Sequence, residues 1–145
     1  MTAIAPSLNG LIIGQAERST RAVLERLLAT HDTPFETWVT INLLSQAGGP
    51  MGCDALVARV VDGLRIPEID VRAAVDDARR RGLVAGTDEL VLTDAGTARF
   101  ETISTGIGAI TATLYAGLPA DDLEVAARVL LTLTERARSE LDRPA

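Results

Sequence analysis

The sequence predicts a mainly α-helical fold with one small β-hairpin, on three observations. Apolar residues recur at helical spacing over most of the chain, two short aliphatic runs flank a turn, and proline and glycine separate the segments. All three meet in residues 66–100, IPEIDVRAAVDDARRRGLVAGTDELVLTDAGTARF. Within 67–81, Val71, Ala74, Val75 and Ala78 share one helical face, which leaves Ile69, Asp70, Ala73, Asp76 and Asp77 pointing outward. Pro67 suits the helix start, where its missing N–H removes only an orphan donor. Gly82 suits the stop, because glycine takes the left-handed conformation without strain. Leu83-Val84 and Leu90-Val91-Leu92 read as strands joined at Gly86-Thr87-Asp88, after which Thr93 or Asp94 caps a new helix. Helix, small hairpin, helix is the plan of a winged helix-turn-helix module.

The flanking elements are helices as well. Residues 8–28 carry a stripe of Leu8, Leu11, Ile12, Ala16, Ser19, Val23 and Leu27, widened by Leu24 and Leu28. His31-Asp32-Thr33-Pro34 breaks it, since a residue before proline avoids the helical region. A second helix covers 35–47, with Trp38, Ile41, Leu44 and Ser45 recurring, and the glycine-rich run 48–52 reads as a turn. A third covers 54–64, where Leu56, Val57, Val60, Val61 and Leu64 face the core. Past the hairpin, Phe100, Ile103, Ile107, Ile110 and Leu114 form a narrow seam, and Gly106 and Gly108 permit close approach or a bend. The last helix, 121–141, is apolar almost all round: Leu123, Ala126, Ala127, Val129, Leu130, Leu131 and Leu133. Such a helix is either tucked into its own core or buried against a second subunit. Surplus apolar surface on both the first and last helices favours the subunit interface.

Composition bounds the rest. A chain of 145 residues suffices for one domain, and 47% hydrophobic with 3% aromatic content means an aliphatic core of packed helices. All 14 basic residues are arginine, and the net charge of −6 argues against indiscriminate nucleic-acid binding, though not against a locally basic surface. The single cysteine, Cys53, cannot form an internal disulfide, which fits a reducing cytoplasm. There is no signal-peptide pattern and no run of 18 apolar residues, so no membrane association is expected. His31, the only histidine, lies at a helix break away from any carboxylate or cysteine cluster. The sequence therefore supports neither a catalytic site, nor a metal site, nor a cofactor.

RRRGLV followed by LTDAGTARF resembles the recognition-helix end and wing exit of MarR-type transcriptional regulators, and GLPADDLEVAARVLLTL resembles the start of their last helix. The order of elements and the total length agree, so the resemblance covers nearly the whole chain. It implies a single domain, 1–145, with a winged-helix lobe at 34–99 and an α-helical dimerisation region at 1–33 and 100–145. It also implies a homodimer, a double-stranded DNA partner and a small-molecule effector; Phe35 and Trp38 would line the effector crevice, although aromatic residues there are more often core. Cys53, at a helix start, does not match the sensing cysteines of the family, which lie near the first helix.

The DNA-facing chemistry departs from the family. Recognition helices of this kind begin with serine, threonine or arginine, whereas this one offers Glu68 and Asp70. The family's wing carries an arginine for the minor groove; here the tip is Ala85-Gly86-Thr87-Asp88-Glu89. Between Cys53 and Phe100 nine acids face seven arginines, leaving −2. Arg65, Arg72, Arg79, Arg80 and Arg81 are the candidate phosphate contacts. Equally, arginines at a helix C-terminus stabilise its dipole and keep the surface solvated. Two functions follow: a DNA-binding regulator with an acidic recognition helix, or a related fold that has lost operator binding and acts through protein or ligand contacts.

Overall fold

The structure, a computed structural model, describes residues 4–145 as six helices and three short strands. Helix α1 (Gly10–Thr30) starts two residues later than its apolar stripe, because the Asn9 side chain caps it by accepting from the Ile12 N–H at 2.9 Å. Next come α2 (Phe35–Ala47), β1 (Met51–Gly52), α3 (Cys53–Leu64) and α4 (Glu68–Arg80). The hairpin strands β2 (Val84–Ala85) and β3 (Glu89–Leu92) lead to α5 (Asp94–Leu114) and α6 (Ala120–Asp142).

The sheet is larger than the sequence suggests. It has three antiparallel strands in the order β1-β3-β2, with Met51 opposite Leu90 and Val84 opposite Leu92. Residues 48–52, expected to be a turn, turn only as far as Pro50; Met51 and Gly52 pair with β3. Two residues carry no periodicity, and their partner lies far along the chain, so nothing local announces this strand. The Cys53 N–H then donates to the Asp88 carbonyl at 2.7 Å, holding the start of α3 to the wing.

Helix α4 ends as its glycine implies. The Gly82 N–H reaches the Arg79 carbonyl at 2.9 Å and the Leu83 N–H reaches that of Ala78 at 3.0 Å, which satisfies two otherwise orphan acceptors. Thr93, rather than Asp94, caps α5: its oxygen accepts from the Gly96 N–H at 3.0 Å while its hydroxyl donates to the Gly82 carbonyl at 2.6 Å. Gly96 is buried against the Leu83 carbonyl, where a β-carbon would collide with backbone.

The chain packs as two compact units, one up to Ile110 and the other Thr111–Ala145. The first holds two cores. Leu44, Leu56, Val57, Val60, Val71, Val75, Ala78, Val84 and Leu90 form that of the winged lobe. Leu28, Trp38, Ile41, Leu83 and Ile103 form the second, with Leu24, Leu27, Phe100 and Ile107 packed on it. The seam foreseen on α5 thus meets α1, and at Gly106 a β-carbon would strike Leu27, so the two helices approach closely there. Leu8, ahead of α1, and Leu11 in its first turn are exposed. In the second unit α6 buries no residue, and Leu123, Val125, Val129, Leu130, Leu131 and Leu133 are all exposed.

Two arginines tie the α1–α2 turn to the winged lobe. Arg81 Nε pairs with Asp77 at 2.7 Å, and its Nη1 donates to both the carboxylate (2.8 Å) and the carbonyl (2.6 Å) of Asp32. Arg99 donates to the His31 carbonyl at 2.7 Å and to Thr33 Oγ1 at 2.8 Å. Asp77, expected to face water, is instead mostly covered, with its side chain 22% exposed, and accepts from the buried Thr37 hydroxyl at 2.9 Å. The expectation failed because Asp77 sits at the edge of the α4 apolar face, where α2 overhangs it. Burial pushes the Asp77 carboxyl up, but the hydrogen bonds from Arg81 and Thr37 outweigh it and hold the group below the ordinary aspartate value.

Two expected outcomes follow from this packing. Val75→Ala should destabilise by about 1–3 kcal/mol, as lost burial plus a cavity, measured by urea unfolding. Asp77→Asn should lose a stabilisation that is pH-dependent in the parent. Because the folded-state value is depressed, that contribution is fully present above about pH 4 and disappears as the pH falls through the lower folded-state value. The difference in unfolding midpoint between the two proteins should therefore be largest near neutrality and shrink in acid.

Candidate nucleic-acid interface

The side chains that α4 presents are set by the face it buries. With Val71, Ala74, Val75 and Ala78 inside, a helical repeat of 100° per residue puts Ile69, Ala73, Asp76 and Arg80 on the opposite ridge. All four are exposed, and Ile69 at 75% is the most exposed large apolar side chain of the helix. Glu68, Arg72 and Arg79 lie along the flank toward α3 and the wing, and Asp70 and Asp77 along the flank toward α2. Helix α3 reaches α4 through a tight turn at Arg65, whose backbone takes the left-handed conformation (φ 54°). The α3–turn–α4 pair with β2–β3 beside it is a complete winged helix-turn-helix.

The five candidate arginines are not equivalent. Arg65 is exposed and makes no ion pair among the described residues. Arg72 sits between two carboxylates, with Asp54 of α3 at 3.0 Å and Glu68 at 3.2 Å. Hydrogen bonding to Asp54 first, then to Glu68, holds its guanidinium still more firmly protonated than usual. Arg79 is the anchor of the wing: its Nε donates to the Gly86 carbonyl at 2.7 Å, its Nη2 to that of Thr87 at 3.4 Å, and its Nη1 pairs with Asp76 at 2.7 Å. Arg80 stands outermost, at 3.5 Å from Asp77. Arg81 is committed to Asp77 and Asp32 at the other end of α4, and hydrogen bonding to Asp77 leads in raising its pKa. A phosphate oxygen would meet Arg65 directly, Arg80 against one long pairing to Asp77, and Arg72 only after displacing two carboxylates. Arg79 and Arg81 serve the scaffold.

Two of these pairings are visible in the sequence as oppositely charged residues at helical spacing, Glu68 with Arg72 and Asp76 with Arg79. The role of Asp54 is not, since it lies 18 residues from Arg72. Arg99 was likewise hidden, because its partners, His31 and Thr33, are joined to it only by the fold.

A cleft of about 400 Å³ opens between α4, the wing and the start of α3, bordered by Cys53, Asp54, Arg72, Asp76, Arg79 and Asp88. Its three carboxylates outnumber its two guanidinium groups, and among the described residues no cluster of three or more potential ligands could hold a metal ion. No described helix is long and apolar enough to cross a membrane. Trp38 is spent on packing: it is buried and stacked on Phe100, ring centroids 5.6 Å apart. Phe35 is half-buried, with the Arg21 guanidinium 4.5 Å above its ring, and it borders a separate cleft of about 390 Å³ with Glu25, Asp32 and Glu36. The residues that border this cleft do not include Trp38, so the two aromatics do not converge on it.

No protein-family model matches the sequence, and no curated protein matches it. Solved structures do. The chain is similar to the transcriptional regulator PA3341, with a TM-score of 0.78 at 16% identity over 90% of this chain and 98% of that one. It is similar to BpsR of Bordetella bronchiseptica, whose DNA binding is regulated by 6-hydroxynicotinic acid, with a TM-score of 0.70 at 19% identity over 88% and 94%. A MarR-family transcriptional regulator from Silicibacter pomeroyi DSS gives 0.74 at 19% identity over 87% of each chain. Identities this low carry the fold and leave function to the residues. The helix order, the three-stranded wing sheet and these neighbours agree: the chain has the winged helix-turn-helix fold of the MarR-family transcriptional regulators.

Proposed function

We propose that the protein is a DNA-binding transcriptional regulator acting as a homodimer in the cytoplasm, with residues 34–99 as its reading lobe and 1–33 and 100–145 as dimerisation helices. The observation that carries this reading is the uncovered ridge of α4 beside an uncovered wing tip, the arrangement by which helix-turn-helix modules meet a major groove. Arg65 and Arg80 supply phosphate contacts. Arg72 joins them when phosphate replaces Asp54 and Glu68, since solvent-exposed ion pairs are weak and exchangeable. Dimerisation is supported by the exposed Leu8, just before α1, and Leu11 within it, and by the exposed aliphatic residues of α6, a larger exposed apolar surface than scattered single residues make. A small-molecule effector belongs to the same reading, and Phe35, rather than Trp38, is the aromatic residue that borders open space.

A second reading has its own observation. Arg72, Arg79 and Arg81 are occupied by protein acceptors, and the ridge itself holds one arginine against one acid. On that ground the fold has given up operator binding and works through protein or ligand contacts.

Binding to duplex DNA at low salt separates the two. With about three phosphate contacts per subunit, a dimer should lose affinity with a log–log salt slope near −5. Glu68→Gln with Asp70→Ser should tighten binding to all duplexes by removing repulsion, and Arg72→Ala should weaken it, both read by fluorescence anisotropy. The second reading expects no binding to any duplex and no gain from the paired substitution. Sedimentation tests assembly: a two-fold dimer at micromolar concentration is expected. Leu130→Asp should leave a monomer, because a buried carboxylate there would have no partner; a parent protein that sediments as a monomer would sink the dimer.

A further inference from the structure

We infer that the leading edge of α4, Ile69 with Ala73 one turn behind it, reads the 5-methyl groups of thymine; this rests on the DNA-binding reading above. Helix-turn-helix recognition helices meet base edges with their N-terminal residues, so the first half of the outward ridge decides what is read. That half is Ile69 and Ala73, both exposed and neither able to donate or accept a hydrogen bond from its side chain. The usual polar reader, an arginine bidentate to guanine, is missing from this position. The only arginine on the ridge is Arg80, about 16 Å further along the helix axis. Arg72, on the flank, is shared between Asp54 and Glu68.

A single exposed isoleucine is ordinary on a protein surface. At the leading position of a ridge that must meet base edges it has one apolar counterpart in the major groove, the thymine methyl, and alanine behind it has the same one. The flanking carboxylates sharpen the choice. Glu68 and Asp70 repel phosphate and the N7 and O6 acceptors of guanine, so a guanine on the strand they face is disfavoured, whereas a cytosine there offers its amino group as a donor. At Ile69 and Ala73 specificity therefore comes from methyl contact rather than from donor–acceptor matching.

The experiment selects bound duplexes from a randomised pool at low salt, then replaces each enriched thymine with deoxyuridine, which removes the methyl alone. Loss of one buried methyl should weaken binding about fourfold, and loss of the symmetric pair about fifteenfold. Ile69→Ser should bind duplexes with a reduced thymine preference and be indifferent to deoxyuridine at the leading thymine. Its side chain is solvent-facing, so its thermal unfolding should match the parent's. Selected sites that tolerate deoxyuridine would overturn the inference and leave DNA binding standing. Deoxyuridine sensitivity in Ile69→Ser as large as the parent's at every thymine would assign methyl reading to another residue and overturn it too. If no duplex is retained at low salt, the DNA-binding reading itself fails and this inference falls with it.

Discussion

The rotation of α4 about its own axis is the constraint on which the lobe depends. Val71, Val75 and Ala78 are almost fully buried among Leu56, Val57, Val60 and Leu90, and Ala74 closes the edge of the face. Turning the helix by one residue would either expose Val71 and bury Arg72 and Asp76, or expose both valines and bury Asp70 and Asp77. Each such exchange exposes an apolar side chain and strips water from a charge, and close-packed interiors offer no intermediate position. Every statement about which side chains can meet a partner follows from that phase. It is set by aliphatic packing and owes nothing to the polar residues it displays.

Polar contacts perform a different task, holding the periphery to this packed centre. Arg79 fastens the wing to α4, Arg81 fastens the α1–α2 turn to the end of α4, and Arg99 fastens the same turn to α5. The turn needs this support, because Asp32 takes a left-handed backbone (φ 48°) that a non-glycine residue adopts only when its surroundings hold it there. An acidic chain thus devotes several of its arginines to internal fastening. This division explains why counting charges along the sequence says little about the potential a ligand would meet.

Much of the fold was legible because it is written in local periodicity. The six helices, the α4 core face, the Gly82 stop and the Thr93 cap all rest on residues close in sequence. What escaped is non-local or marginal. Strand β1 is two residues long and exists only through β3, and Asp77 was misplaced because a helical wheel of α4 does not contain α2. The candidate site was legible as a set of residues and not as an arrangement. The five arginines form two functional groups, and what sorts them is their partners: Asp54, Asp32 and the wing carbonyls, none of which has a signature at fixed spacing. Trp38 resolved toward packing, since a stack on Phe100 leaves its ring no free face.

The Arg79 clasp has a consequence for how this surface can change over time. Arg79 holds the wing by the main-chain oxygens of Gly86 and Thr87, atoms that every residue type possesses. Thr87, Asp88 and Glu89 are exposed, and their side chains take no part in the grip. The loop is thus secured through its main chain, and changing the side chains at Thr87 and Asp88 leaves the atoms that Arg79 grips in place. Drift can explore the side chains of the tip without loosening this clasp, whereas Gly86, whose conformation (φ 103°) few other residues adopt, stays fixed. An acidic tip and a basic one are two settings of the same mount.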